Sequence, residues 1–191
     1  MKPKLVAALI AVPIGFFAYN PLHAAAAVRH APATCAGHAV TRVVSAQSPH
    51  VTNGTAHRDI VLIKAAGHVF NARGGNDLVC GSAGHDVITG GRGADVIRGL
   101  GGNDVIDGDN GDDELNGNGG DDVLNGGTGD DELNGDQGDD ELNGDQGEDT
   151  EDGGDGADDI EDDGGDDVQS DDDDTVIDCS ADATADDCDD D

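Results

Sequence analysis

The chain has 191 residues, a formal net charge of -34, no Trp, one Tyr and three Phe. So little aromatic material and so much charge exclude a conventional large core, and composition alone describes a disordered chain. All nine Lys and Arg lie at or before Arg98, and the 93 residues after it hold 39 of the 43 acids. That argues against nucleic acid as a partner, because phosphate binding needs clustered basic side chains; metal cations suit this surface.

Residues 1–27 read as an export signal. Lys2 and Lys4 form a basic start, Leu5 to Ala18 is an apolar run, and Ala24 to Ala27 offer a small-residue cleavage site. The competing reading is a membrane anchor. The run is short for a span of about 20 residues, and Pro13 and Gly15 interrupt it as a helix. No other stretch could cross a membrane. The mature protein is therefore expected to be secreted and extracellular, with no membrane span after cleavage. Cys35, Cys80, Cys179 and Cys188 suit an oxidising compartment. Three pairings are possible; Cys35 with Cys80 and Cys179 with Cys188 is favoured, because each pair would staple one end of the repeats described next.

Residues 28–71 are read as a lead and a pair of eroded turns. Residues 28–53 are irregular, with apolar Val40, Val43 and Val44. In residues 54–71, Asp59 and Val61, then His68 and Phe70, fall where the later repeat puts Asp and an aliphatic residue. These units lack the full glycine pattern and are expected to cap an open solenoid end.

From Ala72 to Ser170 a nine-residue pattern, Gly-x-x-Gly-x-Asp-x-U-x with U a large aliphatic residue, runs through eleven copies without insertion. A fixed period means a repeat architecture whose units bury their apolar side by stacking on neighbours. Gly at the first and fourth places is expected to permit tight positive-φ turns. The x-U-x triplet predicts a short strand with U inward. Two units make one full coil, and coils spaced about 4.8 Å apart give two parallel sheets in an array about 25 Å long. U is Val79, Ile88, Ile97, Ile106, Leu115, Leu124, Leu133 and Leu142, then Ile160. The seventh place faces out and changes from Leu78, Val87, Val96 and Val105 to Glu114, Val123, Glu132 and Glu141. The lead is expected to cover the early apolar patch. At the ninth place, Asn116 with Asn134 and Asn125 with Asn143 should stack as short ladders. Glu151 and Gln169 occupy the inward place of the ninth and eleventh units. Burying charge there is costly, so the best-formed region is read as 74–143. Residues 171–191 are an acidic tail, expected to be disordered, in which Thr175-Val176-Ile177 could add a last strand out of register.

The sixth place is Asp in every unit: Asp77, Asp86, Asp95, Asp104, Asp113, Asp122, Asp131, Asp140, Asp149, Asp158 and Asp167. Calcium takes six to eight oxygens from carboxylates and carbonyls, and glycine turns stacked coil upon coil can offer both. One side of the stack has up to five gaps and the other up to four, so up to about nine ions are expected, with metal binding and folding coupled. The fifth-place acids Asp112, Asp121, Asp130, Asp139 and Asp166 either add ligands or are solvated charge.

These units resemble the nonapeptide of the RTX (repeat-in-toxin) calcium-binding β-roll family. The resemblance implies an all-β, parallel β-roll, a right-handed solenoid with calcium between successive turns. It implies that the ions are held by Asp77, Asp86, Asp95, Asp104, Asp113, Asp122, Asp131, Asp140, Asp149 and Asp158 with turn carbonyls. Thr34-Cys35-Ala36-Gly37 and Cys80-Gly81 are similar to small exported RTX-repeat proteins of Gram-positive bacteria. The chain departs from the large toxins and proteases of the family: it carries an N-terminal signal and no catalytic or pore-forming region before the repeats, so toxin activity is not implied.

Catalysis is not expected. The sequence has no H-E-x-x-H and no G-x-S-x-G, and its histidines, His23, His30, His38, His50, His57, His68 and His85, are irregularly spaced. The function read from the sequence is a secreted calcium-binding β-roll that folds on meeting extracellular calcium; its protein partner is unknown. The alternatives are a structural or adhesive surface spacer stiffened by calcium, and a largely disordered acidic chain that buffers cations.

Overall fold

The computed structural model of the chain describes residues 34–162, 167–169 and 175–178. The proposed signal, the Cys179–Cys188 pair, Asp166 and the end of the acidic tail lie outside the described residues.

The nonapeptide period builds a parallel β-solenoid with a strand on each side of every coil. One sheet runs, in spatial order, through β3 (Arg42–Val44), β5 (Ile60–Ile63), β7 (Leu78–Cys80), β9 (Val96–Arg98), β11 (Glu114–Gly119), β13 (Glu132–Gln137), β15 (Thr150–Asp155) and β17 (Asp167–Gln169). The other runs through β4 (Val51–Asn53), β6 (Val69–Gly74), β8 (Val87–Arg92), β10 (Val105–Asn110), β12 (Val123–Thr128), β14 (Glu141–Gln146), β16 (Asp159–Asp162) and β18 (Thr175–Asp178). A small antiparallel hairpin of β1 (Thr34–Cys35) and β2 (His38–Ala39) precedes them. No helix among the described residues is long and apolar enough to cross a membrane.

The expected register is present through the array: Ile106 pairs with Leu124, and Leu124 with Leu142; Leu115 pairs with Leu133. These inward side chains, with Val61, Phe70, Val79, Ile88, Ile97 and Ile160, are buried in one continuous core. The interior is lined by one inward ladder from each sheet. Each coil therefore buries little more than one aliphatic side chain per strand, worth roughly 1.5–3 kcal/mol apiece. The Asn pairs 116/134 and 125/143 are in register, and Asn143 donates to Glu161 Oε2 at 3.1 Å.

Four features differ from the sequence reading. Most array strands are six residues long, running from the seventh place through the third place of the next unit, as in β11. The strand continues past the first-place glycine through a left-handed second-place residue, as at Asn118, and does not stop at x-U-x. The lead is not irregular throughout: β3 and β4 add a coil, with Val44 opposite Ile63 and Thr52 opposite Phe70. In the β3–β5 pair Arg42 stands opposite Val61, a spacing one longer than two nonapeptides, so the β3 half of this coil falls outside the repeat register, whereas β4 keeps it, with Val51 opposite Val69.

Third, the far end slips. Glu151 pairs with Val168, and Ile160 with Val176. The slip replaces Gln169 at the inward place by Val168, which packs on the core while Gln169 is exposed. Thr175–Asp178 does form a strand out of register, inside the segment assigned to the tail. Glu151 keeps its inward place between Leu133 and Val168 and is fully buried.

Fourth, the lead covers only half of the early apolar patch. Successive nonapeptides alternate between the sheets, so seventh-place residues form two separate outer ladders. On one sheet Cys35, Leu78 and Cys80 form a second small core with Val40, Ile60, Leu62 and Val96 around it. The Cys35–Cys80 disulfide holds the hairpin there. On the other sheet Val51, Val69, Val87, Val105 and Val123 stand in register. Four of these, Val51, Val69, Val105 and Val123, are exposed.

Replacing Leu124 by Ala should lower the stability of the calcium-loaded protein by about 3 kcal/mol, since the narrow interior has no neighbouring layer to refill the cavity. Replacing Glu151 by Leu should raise it, by extending the aliphatic ladder. Denaturant unfolding in excess calcium checks both.

Candidate metal centre

The strands hold each sixth-place Asp at the corner of a coil, and two hydrogen bonds clip it to the coil before. Its Oδ1 accepts the main-chain N–H of the corresponding aspartate one coil earlier: Asp95 N to Asp113 Oδ1, Asp104 N to Asp122 Oδ1, Asp113 N to Asp131 Oδ1 and onward, at 2.6–2.7 Å in these three. The next N–H returns the bond, as from Glu114 to the carbonyl of Asp95 at 2.9 Å. All ten aspartates expected to hold metal are buried in two such stacks. The side chain of Asp167 lies outside the described residues.

The second carboxylate oxygen carries the chemistry. In Asp77, Asp95, Asp104, Asp113, Asp122, Asp131 and Asp140, Oδ2 is buried and accepts no hydrogen bond among the described residues. From Asp95 onward it points across its own turn at the first-place glycine. A Cβ built on Gly108 would stand 2.5 Å from both Asp113 Oδ2 and the carbonyl oxygen of Gly126, in the next coil. On Gly126 it would stand 2.6 Å from Asp131 Oδ2 and 2.8 Å from the Gly144 oxygen. Thus a carboxylate oxygen of one coil and a carbonyl oxygen of the next converge on one point. The Oδ2 atoms of Asp149 and Asp158 likewise lie against Gly144 and Gly153.

This explains the first-place glycine, and not by the reason expected. Positive φ falls at the fourth place, as in Gly111 at +137°, and at the second place, where Asp109, Asn118, Asp136 and Asp145 adopt it. Asn and Asp tolerate the left-handed region best after Gly. The first-place glycine serves close approach of oxygens instead.

Two buried acceptors facing each other with no donor between them repel, and burial raises the carboxyl pKa values. The Asp104, Asp113 and Asp140 carboxyls are pushed up to about 7, and Asp95 to about 6. Desolvation is the main cause; the main-chain N–H on Oδ1 opposes it, and neighbouring carboxylates add to it. Asp77, Asp122 and Asp131 are raised for the same first reason. A cation shared by the two oxygens removes both penalties. No three acidic, His or Cys side chains converge as a metal-binding group among the described residues. Carbonyl oxygens must therefore complete any ion's shell. An all-oxygen, carbonyl-rich set suits a hard cation with tolerant geometry, which is calcium.

Asp86 differs. Its Oδ1 accepts from His68 N at 3.1 Å and its Oδ2 from Ser82 N at 2.9 Å. Asp59 in the cap is served likewise by Thr55, through N at 2.7 Å and Oγ at 2.9 Å. The repeat pattern gives no warning of these donors; Ser82, at the variable second place, does not stand out from its sequence. The fifth-place acids form an outer ladder of opposite sense: Asp112 Oδ1 accepts from Asp130 N, and Asp121 Oδ1 from Asp139 N, both at 3.3 Å. They are exposed, and they clip coils together from outside.

The raised carboxyls set a pH dependence. A folded-state pKa above the unfolded value favours the metal-free fold below the unfolded value of about 4 and penalises it as pH rises through 6 to 7. Metal-stripped protein should therefore melt higher at pH 5 than at pH 8. Calcium should reverse the order, because metal must displace those protons. Thermal melts followed by circular dichroism at the two pH values, with and without calcium, check the reversal.

The chain matches the RTX calcium-binding nonapeptide repeat at residues 69–88, 81–115 and 116–151. No curated protein matches it, and no solved structure does. With the period, the β-solenoid and the buried aspartate stacks, that match places the repeat array in the RTX calcium-binding nonapeptide repeat family.

Proposed function

We propose that the protein is a secreted, non-catalytic calcium-binding β-roll whose folding is coupled to extracellular calcium. The observation that carries this is the buried, donor-free Oδ2 facing a carbonyl oxygen of the next coil, as at Asp113 and Asp131. The ligands are the sixth-place aspartates that face a first-place glycine: Asp95, Asp104, Asp113, Asp122, Asp131, Asp140, Asp149 and Asp158. Carbonyls such as those of Gly108, Gly126 and Gly144 complete the sites. Calcium, when bound, supplies the charge that lets these oxygens stay buried and close.

Where calcium is scarce the acidic coils repel one another and stay open. Extracellular calcium modules bind at about 10⁻⁴ to 10⁻³ M, which would confine folding to the outside of the cell. The apolar N-terminal run and the disulfide favour export. The non-catalytic reading rests on the match to a calcium-binding repeat and on a sequence without H-E-x-x-H or G-x-S-x-G.

Circular dichroism during a calcium titration tests the reading. A cooperative gain of β signal is expected, and a spectrum unchanged at millimolar calcium overturns it. Asp113→Ala removes the Oδ1 that accepts from Asp95 N and the Oδ2 that faces the Gly126 carbonyl oxygen. It should raise the calcium midpoint by at least about tenfold, the scale that even an outer-shell partner contributes, and flatten the slope. An unchanged midpoint and slope would mean Asp113 is no ligand.

A further inference from the structure

We infer that calcium sites in this chain begin at Asp95 on one stack and Asp104 on the other, and that the coils before them form a metal-independent cap on which the calcium-dependent coils assemble. The inference rests on the calcium reading above and divides the chain by it.

Four local departures from the repeat set the turns before residue 90 apart from the later ones. Ser82 gives its N–H to Asp86 Oδ2, and both Asp86 oxygens are then satisfied by main-chain donors. Thr55 gives both its N–H and its hydroxyl to Asp59 Oδ2. Asp77 Oδ2 still accepts no hydrogen bond, but the first place of its unit is Ala72, fully buried, so a methyl group occupies the position where later coils bring carboxylate and carbonyl oxygens together, and Arg58, which lines the same pocket as Asp77, supplies a positive charge there. His68 takes the remaining sixth place and brings no carboxylate. From Gly90 onward no such substitution occurs until the described array ends: each first-place residue through Gly153 is glycine with the Oδ2 of its own turn against it.

Charge and packing divide at the same point. Residues 34–92 hold five Lys or Arg, namely Arg42, Arg58, Lys64, Arg73 and Arg92, against three acids, Asp59, Asp77 and Asp86. These coils do not repel themselves. Residues 95–162 hold one basic residue, Arg98, against 26 acids. The first coils also bury more than one side chain per strand: Val61 with Ile63, Phe70 with Ala72. The second small core sits outside them, under the hairpin. The Cys35–Cys80 disulfide, whose ends are separated by 45 in sequence, removes unfolded-state entropy from this segment alone. In a solenoid a formed coil offers the next one its strand edge and register. A cap that stands without metal therefore fixes where the first calcium-bound coil must dock.

Hydrogen exchange read by mass spectrometry on the full, oxidised chain tests this. In EGTA, amides of residues 42–80 should be protected and those of 105–155 should exchange freely; millimolar calcium should protect the second group. Free exchange of 42–80 in EGTA overturns the inference and leaves the calcium reading intact. Absence of calcium-induced protection anywhere overturns the calcium reading itself, and the division with it. Two variants separate the carboxylates: Asp104→Asn should raise the calcium midpoint for protection of 105–155 about tenfold, and Asp86→Asn should leave it unchanged. An equal rise in both overturns the inference. As a gain of site, Ala72→Gly should add one calcium ion to the count bound in native mass spectrometry; an unchanged count overturns the assignment of Ala72 as the block.

Discussion

A buried carboxylate needs a counter-charge or a donor, and this fold places one at every coil corner. The Oδ1 atom is satisfied by the neighbouring coil, so the stack closes only by bringing the next aspartate over the last. The same closure buries Oδ2 against a carbonyl oxygen. The geometry that joins the coils thus also creates the repulsion between them. With so thin an aliphatic core, and one Arg98–Glu114 ion pair at 3.3 Å among the described residues, hydrophobic burial alone is poorly placed to offset it. Calcium converts the repulsive pair of oxygens into a bridge, so cation binding and coil closure become one step.

Much of this is legible in the sequence because a repeat averages out local noise. The inward ladder, the register and the Asp stacks follow from the nonapeptide period and from nothing subtler. The two eroded turns are legible as well: Val61 pairs with Val79, and Phe70 with Ile88, where the register puts them. What escapes is whatever the period does not encode. β3 pairs Arg42 with Val61, one place beyond the repeat spacing, so the nonapeptide register stops at β4. The first-place glycine reads as a turn former because composition cannot separate a need for positive φ from a need for space. The split of the early apolar patch into a covered and an exposed ladder follows from units alternating between sheets, which a list of seventh-place residues in chain order conceals.

At the candidate site the aspartates are legible as a set and indistinguishable as individuals. Asp86 and Asp104 occupy the same place in matching patterns. What separates them is one main-chain N–H, at Ser82, which reaches Asp86 Oδ2 because of how that turn bends. A main-chain donor has no sequence signature. Ala72 is visible as a departure from the glycine pattern, but its meaning depends on knowing that oxygens converge on that position in the later coils.

The two ends of the solenoid are finished by different means. At the start, apolar bulk, a hairpin and a disulfide cover one sheet. At the far end there is no comparable apolar supply, and the chain slips instead, so that Val168 rather than Gln169 meets Glu151 and Val176 meets Ile160. A strict nonapeptide would set Gln169 against Glu151, two polar side chains facing the interior in succession. Slipping exchanges perfect repeat geometry for an apolar contact. That exchange is open only to a terminal coil, where nothing further must stack in register. Inside the array, a one-place slip would turn every later side chain to the opposite face and carry each later aspartate away from its corner. The repeat is therefore held most strictly where both the aliphatic ladder and the oxygen pairs depend on it, and relaxes where only one neighbour remains.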